Sequence, residues 1–166
     1  MRIDDNTKIS LIIFSITGLQ WVQGEASASG RPSVVNMSLG GSKSPSMDSA
    51  VNSLTTSGVH VAVAAGNSGL PAEAFSPASA PSAFTVAATN ITDTRPWWSN
   101  WGLSVDIFAP GQDILSAWNT NDTVRRFHCV LHHLLITPPG YKPNFWNFYG
   151  YPTHNWPHCS FHFYLW

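Results

Sequence analysis

Two stretches decide how this chain folds: Ser33-Val34-Val35-Asn36-Met37-Ser38-Leu39-Gly40-Gly41 and Val59-His60-Val61-Ala62-Val63-Ala64-Ala65-Gly66-Asn67. Each is a mostly apolar run closed by glycine. A run that stays apolar instead of alternating suits a strand buried on both faces, as in a parallel sheet. The residues between them read as a helix. Ser44 is placed to cap its first turn, with Pro45 at the first helical position. Met47, Ala50, Val51 and Leu54 form one apolar stripe, and Gly58 stops it. Strand, helix and strand joined by short links make a βαβ unit with parallel strands.

Working outward, Leu19, Val22 and Ala26 predict one face of an earlier helix that Gly30 and Pro32 end. Downstream, 84–88, 105–108 and 114–117 are short strand candidates. The expected fold class is α/β, an incomplete doubly wound parallel sheet with an irregular C-terminal tail. Composition divides the chain into a mixed leader without a clear period (1–17), a Ser-, Ala-, Gly- and Val-rich domain portion (18–124), and a tail rich in Phe, Trp, Tyr, His and Pro (125–166) that does not read as a domain. No internal repeat is visible.

The 166 residues suffice for one domain with a sizeable core. Only 10% are charged and the net charge is -1. Neither nucleic acid nor an acidic membrane is therefore an expected partner. The apolar stretch Ile9 to Ile16 is too short to span a bilayer. Asp4 and Asp5 stand where a signal peptide carries basic residues, so no signal peptide is expected. Localisation stays open. Cys129 and Cys159 say little about redox compartment. Asn36, Asn90 and Asn121 open glycosylation-type triplets, which are common by chance.

In open parallel sheets, ligands bind beyond the carboxyl ends of the strands. Ser38-Leu39-Gly40-Gly41 and Ala64-Ala65-Gly66-Asn67 lie there, although each alone also reads as a tight turn. Three more blocks follow in order: Phe75-Ser76-Pro77-Ala78-Ser79, Trp98-Ser99-Asn100-Trp101-Gly102 and Val105-Asp106-Ile107-Phe108-Ala109-Pro110-Gly111. Together, from Gly18 to about Val124, they resemble the subtilisin-like serine proteases (subtilases), specifically the proteinase K and cerevisin branch.

That resemblance implies a serine-type endopeptidase acting on peptide or protein substrates, with no organic cofactor, in a family that is often secreted or vacuolar. It places Asn67 on the oxyanion-hole asparagine, a neutral donor held ready before charge develops on the substrate. Ser38, Leu39, Gly40 and Gly41 fall on the strand that pairs with the substrate backbone. Ala64, Ala65 and Gly66 fall on a wall of the pocket for the substrate residue before the cut. A calcium site is also implied, from Asp106 and the carbonyls of Pro81 and Ala83, since hard oxygen ligands suit that ion. The alternative is that Asp106 is a strand-edge carboxylate with local hydrogen bonds.

The family's catalytic aspartate, histidine and serine sit in Asp-Thr/Ser-Gly, His-Gly-Thr-His and Gly-Thr-Ser-Met-Ala strings. None of these occurs in this sequence. The expectation is an inactive chain, or a fragment or mis-spliced product of a parent that continues into those strings. A non-catalytic peptide-binding or regulatory fragment is the other reading. His60, inside an apolar run, reads as a core histidine and not as a general base. The tail has no defensible period. Cys129, His132, His158, Cys159 and His162 are either zinc ligands at Cys-x₂-His spacing or part of a sequence not selected to fold.

Overall fold

The computed structural model describes residues 5–116, 124–125 and 161–165, with side-chain surroundings from residue 10 to residue 114. In chain order the elements are α1 (Asp5–Ser29), β1 (Ser33–Met37), β2 (Gly41–Ser42), α2 (Pro45–Thr56), β3 (His60–Ala64), a 3-10 turn (Ala72–Ala74), β4 (Phe75–Ser76), β5 (Phe84–Thr89), β6 (Ile107–Pro110), β7 (Leu115–Ser116), β8 (Val124–Arg125) and β9 (Phe161–Leu165). The main sheet has the order β6-β5-β3-β1-β9. Its first four strands are mutually parallel, and β9 adds antiparallel to β1. This is the expected α/β architecture with an incomplete, mainly parallel sheet.

The βαβ unit forms as the residues predict. The Ser44 hydroxyl accepts from the Met47 amide, with Pro45 opening α2. Met47, Val51 and Leu54 are buried against Val35 and Met37 of β1 and Val61 and Val63 of β3, together with Leu19, Val22 and Ala26 of α1. Both described helices thus cover one face of the sheet. On the opposite face Ala62, Val86, Ala88 and Ala109 pack against Trp98, which comes from a loop. That second face, lacking a helix among the described residues, is where the sheet is incomplete.

Four expectations need correction. The leader is no separate irregular segment, because α1 runs from Asp5 through position 17 without a break. Its buried stripe continues the Leu19 set backwards through Ile16, Ser15 and Ile12. Ser15 hides that stripe in the sequence; its hydroxyl is satisfied by the Leu11 carbonyl at 2.9 Å. Exposed Leu11, Ile13 and Phe14 blur the pattern further. His60 is exposed and not a core residue, since it is the first residue of β3 at the amino edge of the sheet. The last two expected strands shift: β6 begins at Ile107 instead of Val105, and 114–117 contributes only the short β7, paired with β8. Finally, the tail is not wholly irregular, because Phe161–Leu165 forms β9 along the whole of β1.

Candidate functional site

The parallel register sets Met37 beside Val63. Ser38, the first residue past β1, therefore stands beside Ala64, the last residue of β3, at the carboxyl edge of the sheet, and the two predicted site segments are brought together. After β1 the chain passes through buried Ser38 and half-buried Leu39 to exposed Gly40 and Gly41. Gly41 and Ser42 then pair antiparallel with Phe75 and Ser76. A Cβ on Gly40 would lie 3.3 Å from the Ser76 carbonyl oxygen, which gives that glycine a reason within the chain itself. Ser76 also ties this corner to α2. Its hydroxyl accepts from the Ser44 amide at 2.9 Å and lies 3.3 Å from the Ser79 hydroxyl. Ser79 donates to Asp48 Oδ2, which Lys43 Nζ meets at 3.0 Å. Asp48 in the first turn of α2 is also favourably placed in the field of that helix.

After β3, buried Ala65 donates its amide to the Val86 carbonyl at 2.8 Å, and Gly66 turns at φ 106. Half-buried Asn67 follows, then Ser68, Gly69 and Leu70. This loop is stitched to residues 97–101. The Gly69 amide donates to the Trp98 carbonyl, the Trp101 amide to Leu70, the Ala72 amide to Trp101, and the Trp101 indole to Gly69. Wholly buried Asn100 fills the space between the two loops: its Oδ1 accepts from the Ser68 and Leu70 amides, and its Nδ2 donates to the Ala65 carbonyl. The motif carrying Asn100 was quoted in the sequence, but not the role of that residue, since its partners lie some thirty positions upstream.

Beyond this, Glu73 accepts from the Ser104 amide at 3.0 Å. Its own backbone amide, then that of Ser104, hold the carboxyl below its usual pKa, with burial opposing and Leu103 adding a smaller contribution.

Asp106 lies at the other end of the sheet from Asn67. Its Oδ2 accepts from the Thr85 amide at 2.7 Å, and its own amide donates to the Thr85 carbonyl. These are the local bonds of a strand-edge carboxylate. Their partner, Thr85, stands two residues after Ala83, which follows Pro81 in the turn before β5. Such a donor set, one exposed carboxylate and backbone carbonyls, is compatible with a calcium ion. Among the described residues there is no group of three His, Cys, Asp or Glu side chains able to hold a metal, and no helix long and apolar enough to cross a membrane. Cys129, His132, His158 and Cys159 lie outside the described residues, and His162 sits in β9 opposite Asn36.

Comparison with known proteins gives the chain a family and a fold. Residues 4–132 match the Subtilase family, a wider span than Gly18 to Val124. The chain is 53% identical over 103 residues to alkaline serine exoprotease A of Vibrio alginolyticus, covering 62% of this chain and 19% of that protein. It is 53% identical over 90 residues to cerevisin of Saccharomyces cerevisiae, covering 54% of this chain and 14% of that one. The solved structure of a cold adapted subtilisin-like serine proteinase superposes with a TM-score of 0.64 at 46% identity, over 69% of this chain and 41% of the other. The chain thus spans about a fifth of exoprotease A and less of cerevisin.

Proposed function

Because the chain belongs to the subtilase family of serine proteases, we propose that it carries the substrate-gripping and oxyanion-stabilising portion of a peptide-bond hydrolase. The observation that supports this most directly is the β1–β3 register, which pairs Met37 with Val63 and so brings the two following segments, 38–41 and 64–67, to one end of the sheet. A peptide laid along Ser38–Gly41 adds as a strand through backbone hydrogen bonds. Ala64, Ala65 and Gly66 would form a wall of the pocket for the substrate residue before the cut through their backbone and half-buried Ala64, because the Ala65 side chain packs against Ala72, Ala78 and Ala87 and Asn100 fills the space at Gly66. Asn67 offers a neutral donor to the oxygen that becomes charged when the carbonyl is attacked, and one such donor typically contributes ~10²–10³ in rate.

These 166 residues contain none of the family's triad strings, so the chain alone is expected not to hydrolyse peptides. The test is the purified chain against a fluorophosphonate probe and a peptide substrate with a bulky residue before the cut. Absence of both labelling and turnover is the expected result. Serine labelling together with turnover would overturn it. A second reading, peptide binding without catalysis, is favoured by the retention of both loops without those strings. Micromolar binding of the same peptide without turnover would support it.

Where the family's calcium ion binds, Asp106 and the Pro81 and Ala83 carbonyls would hold it. Its contribution would be structural, tying the 81–85 turn to the start of β6. Millimolar calcium is expected to raise the melting temperature by mass action, and Asp106→Ala to abolish the gain. An unchanged melt in a folded sample would rule this ion site out.

A further inference from the structure

We propose that Asn100 is the positioning residue of the oxyanion loop, fixing the backbone on both sides of Asn67 so that its side-chain amide is aimed before any substrate arrives. The inference rests on reading Asn67 as the oxyanion donor.

The bonds of Asn100 bracket Asn67. On the upstream side, Asn100 Nδ2 donates to the Ala65 carbonyl at 2.8 Å, and its backbone amide donates to the Gly66 carbonyl at 3.0 Å. On the downstream side, its Oδ1 accepts from the Ser68 amide at 2.9 Å and the Leu70 amide at 3.1 Å. Asn100 itself has 0% exposure. In such a site each bond is strengthened by the surroundings, and a lost partner leaves a costly unpaired group.

The side chain has to be asparagine for stated reasons. An oxygen with two lone pairs takes both amides, and the NH₂ at the same branch point serves the Ala65 carbonyl. Aspartate has the acceptors but no donor, and would set a carboxylate oxygen against that carbonyl. Glutamine carries the right groups one carbon too far.

The loop in turn leaves space only for this arrangement. A Cβ on Gly66 would overlap Asn100 Nδ2, and one on Gly69 would come within 2.7 Å of the Trp97 carbonyl oxygen. Donors fixed in advance need no reorganisation as charge develops. A shift of about 1 Å in such a group can cost on the order of 10²-fold in rate.

The neighbouring residue separates this role from general support. Ser99 is as deeply buried, but its hydroxyl accepts from the Ala88 amide in β5 and donates to the Asn100 backbone carbonyl at 3.3 Å, so its bonds go to the sheet and to the neighbouring backbone and not to the 65–70 loop. The test uses the ¹⁵N-labelled 166-residue chain with Asn100→Ala, Asn100→Asp and Ser99→Ala. The first readout is the side-chain amide signals of Asn67. The second is the affinity for one peptide with a free C-terminal carboxylate and for the same peptide ending in an amide, the carboxylate oxygen standing in for the oxyanion.

Both Asn100 variants are expected to shift the Asn67 signals and to reduce the preference for the carboxylate peptide about tenfold, the loss of one charge-assisted hydrogen bond. Asn100→Ala should also speed hydrogen exchange at the Ser68 and Leu70 amides. Ser99→Ala should lower stability while leaving the Asn67 signals in place. Should Asn100→Ala fail to fold, Asn100→Asp, which keeps both acceptor bonds, decides. Asn67 signals unmoved in Asn100→Asp, or moved equally by Ser99→Ala, would overturn the proposal. A wild-type chain with no carboxylate preference would instead count against Asn67 as the oxyanion donor, and the Asn67 signals would still show whether Asn100 positions it.

Discussion

Glu73 and Gly102 form a second clasp close to the oxyanion loop. Gly102 sits at φ 127, and a Cβ there would overlap the Glu73 carboxylate, which accepts the Ser104 amide. Backbone amides, its own first and then that of Ser104, stabilise the charged form, so the folded pKa lies below the ordinary 4.5. The sign follows from linkage. The stabilisation is complete above the unfolded pKa and is lost as the pH falls through the lower folded value. The Ser104 amide signal is therefore expected to titrate below pH 4.5 in the wild type and to stay flat in Glu73→Gln. A flat wild-type profile would show that the clasp is not formed in solution. At this scale the sequence reveals one member of each cluster and hides the rest. Asn67 follows a strand in a recognisable string. Asn100 and Glu73 act on backbone groups about thirty positions away, which no local pattern encodes.

Elements were legible where apolar spacing and end signals agree. In α2, Ser44, Pro45, the Met47–Val51–Leu54 stripe and Gly58 all point the same way, and its observed limits follow. In α1 they conflict. A serine interrupts the buried stripe and three large apolar side chains lie outside it, so local reading finds only the second half. The two faces of α1 should respond differently to substitution. Leu19→Ala, at 1% exposure, is expected to cost about 2–5 kcal/mol by cavity formation. Phe14→Ser, at 75% exposure, should change stability by less than ~0.5 kcal/mol. Urea unfolding followed by circular dichroism measures both, and equal costs would contradict the assigned stripe. β9 was illegible for a different reason. It has no glycine or turn signal marking its start, and its pairing partner lies more than a hundred residues upstream in β1.

Taken whole, the molecule is a sheet covered by helices on one face, with a loop tryptophan over part of the other and an antiparallel strand along one edge. Sheet edges left open invite pairing with other chains. Every residue of β1, from Ser33 to Met37, has a partner in β9. Stopping the chain after Ser160 is therefore expected to convert a defined species into one that associates with rising concentration, read by light scattering. An unchanged mass distribution would show that the β1 edge is protected by something other than β9.

The pairing of β1 with β9 also has a consequence for how the protein is made. β3, β5 and β6 each join the growing sheet on the side opposite β9, in the order in which they are translated. The other side of β1 waits for Phe161–Leu165. At roughly 5–20 residues added per second, that wait is on the order of ten seconds. Throughout it, successive ribosomes on one message hold nascent chains with the same bare edge close together. Crowded translation, more than the finished fold, is thus where this protein meets its strongest competition for β1, and slower elongation past Met37 lengthens the contest.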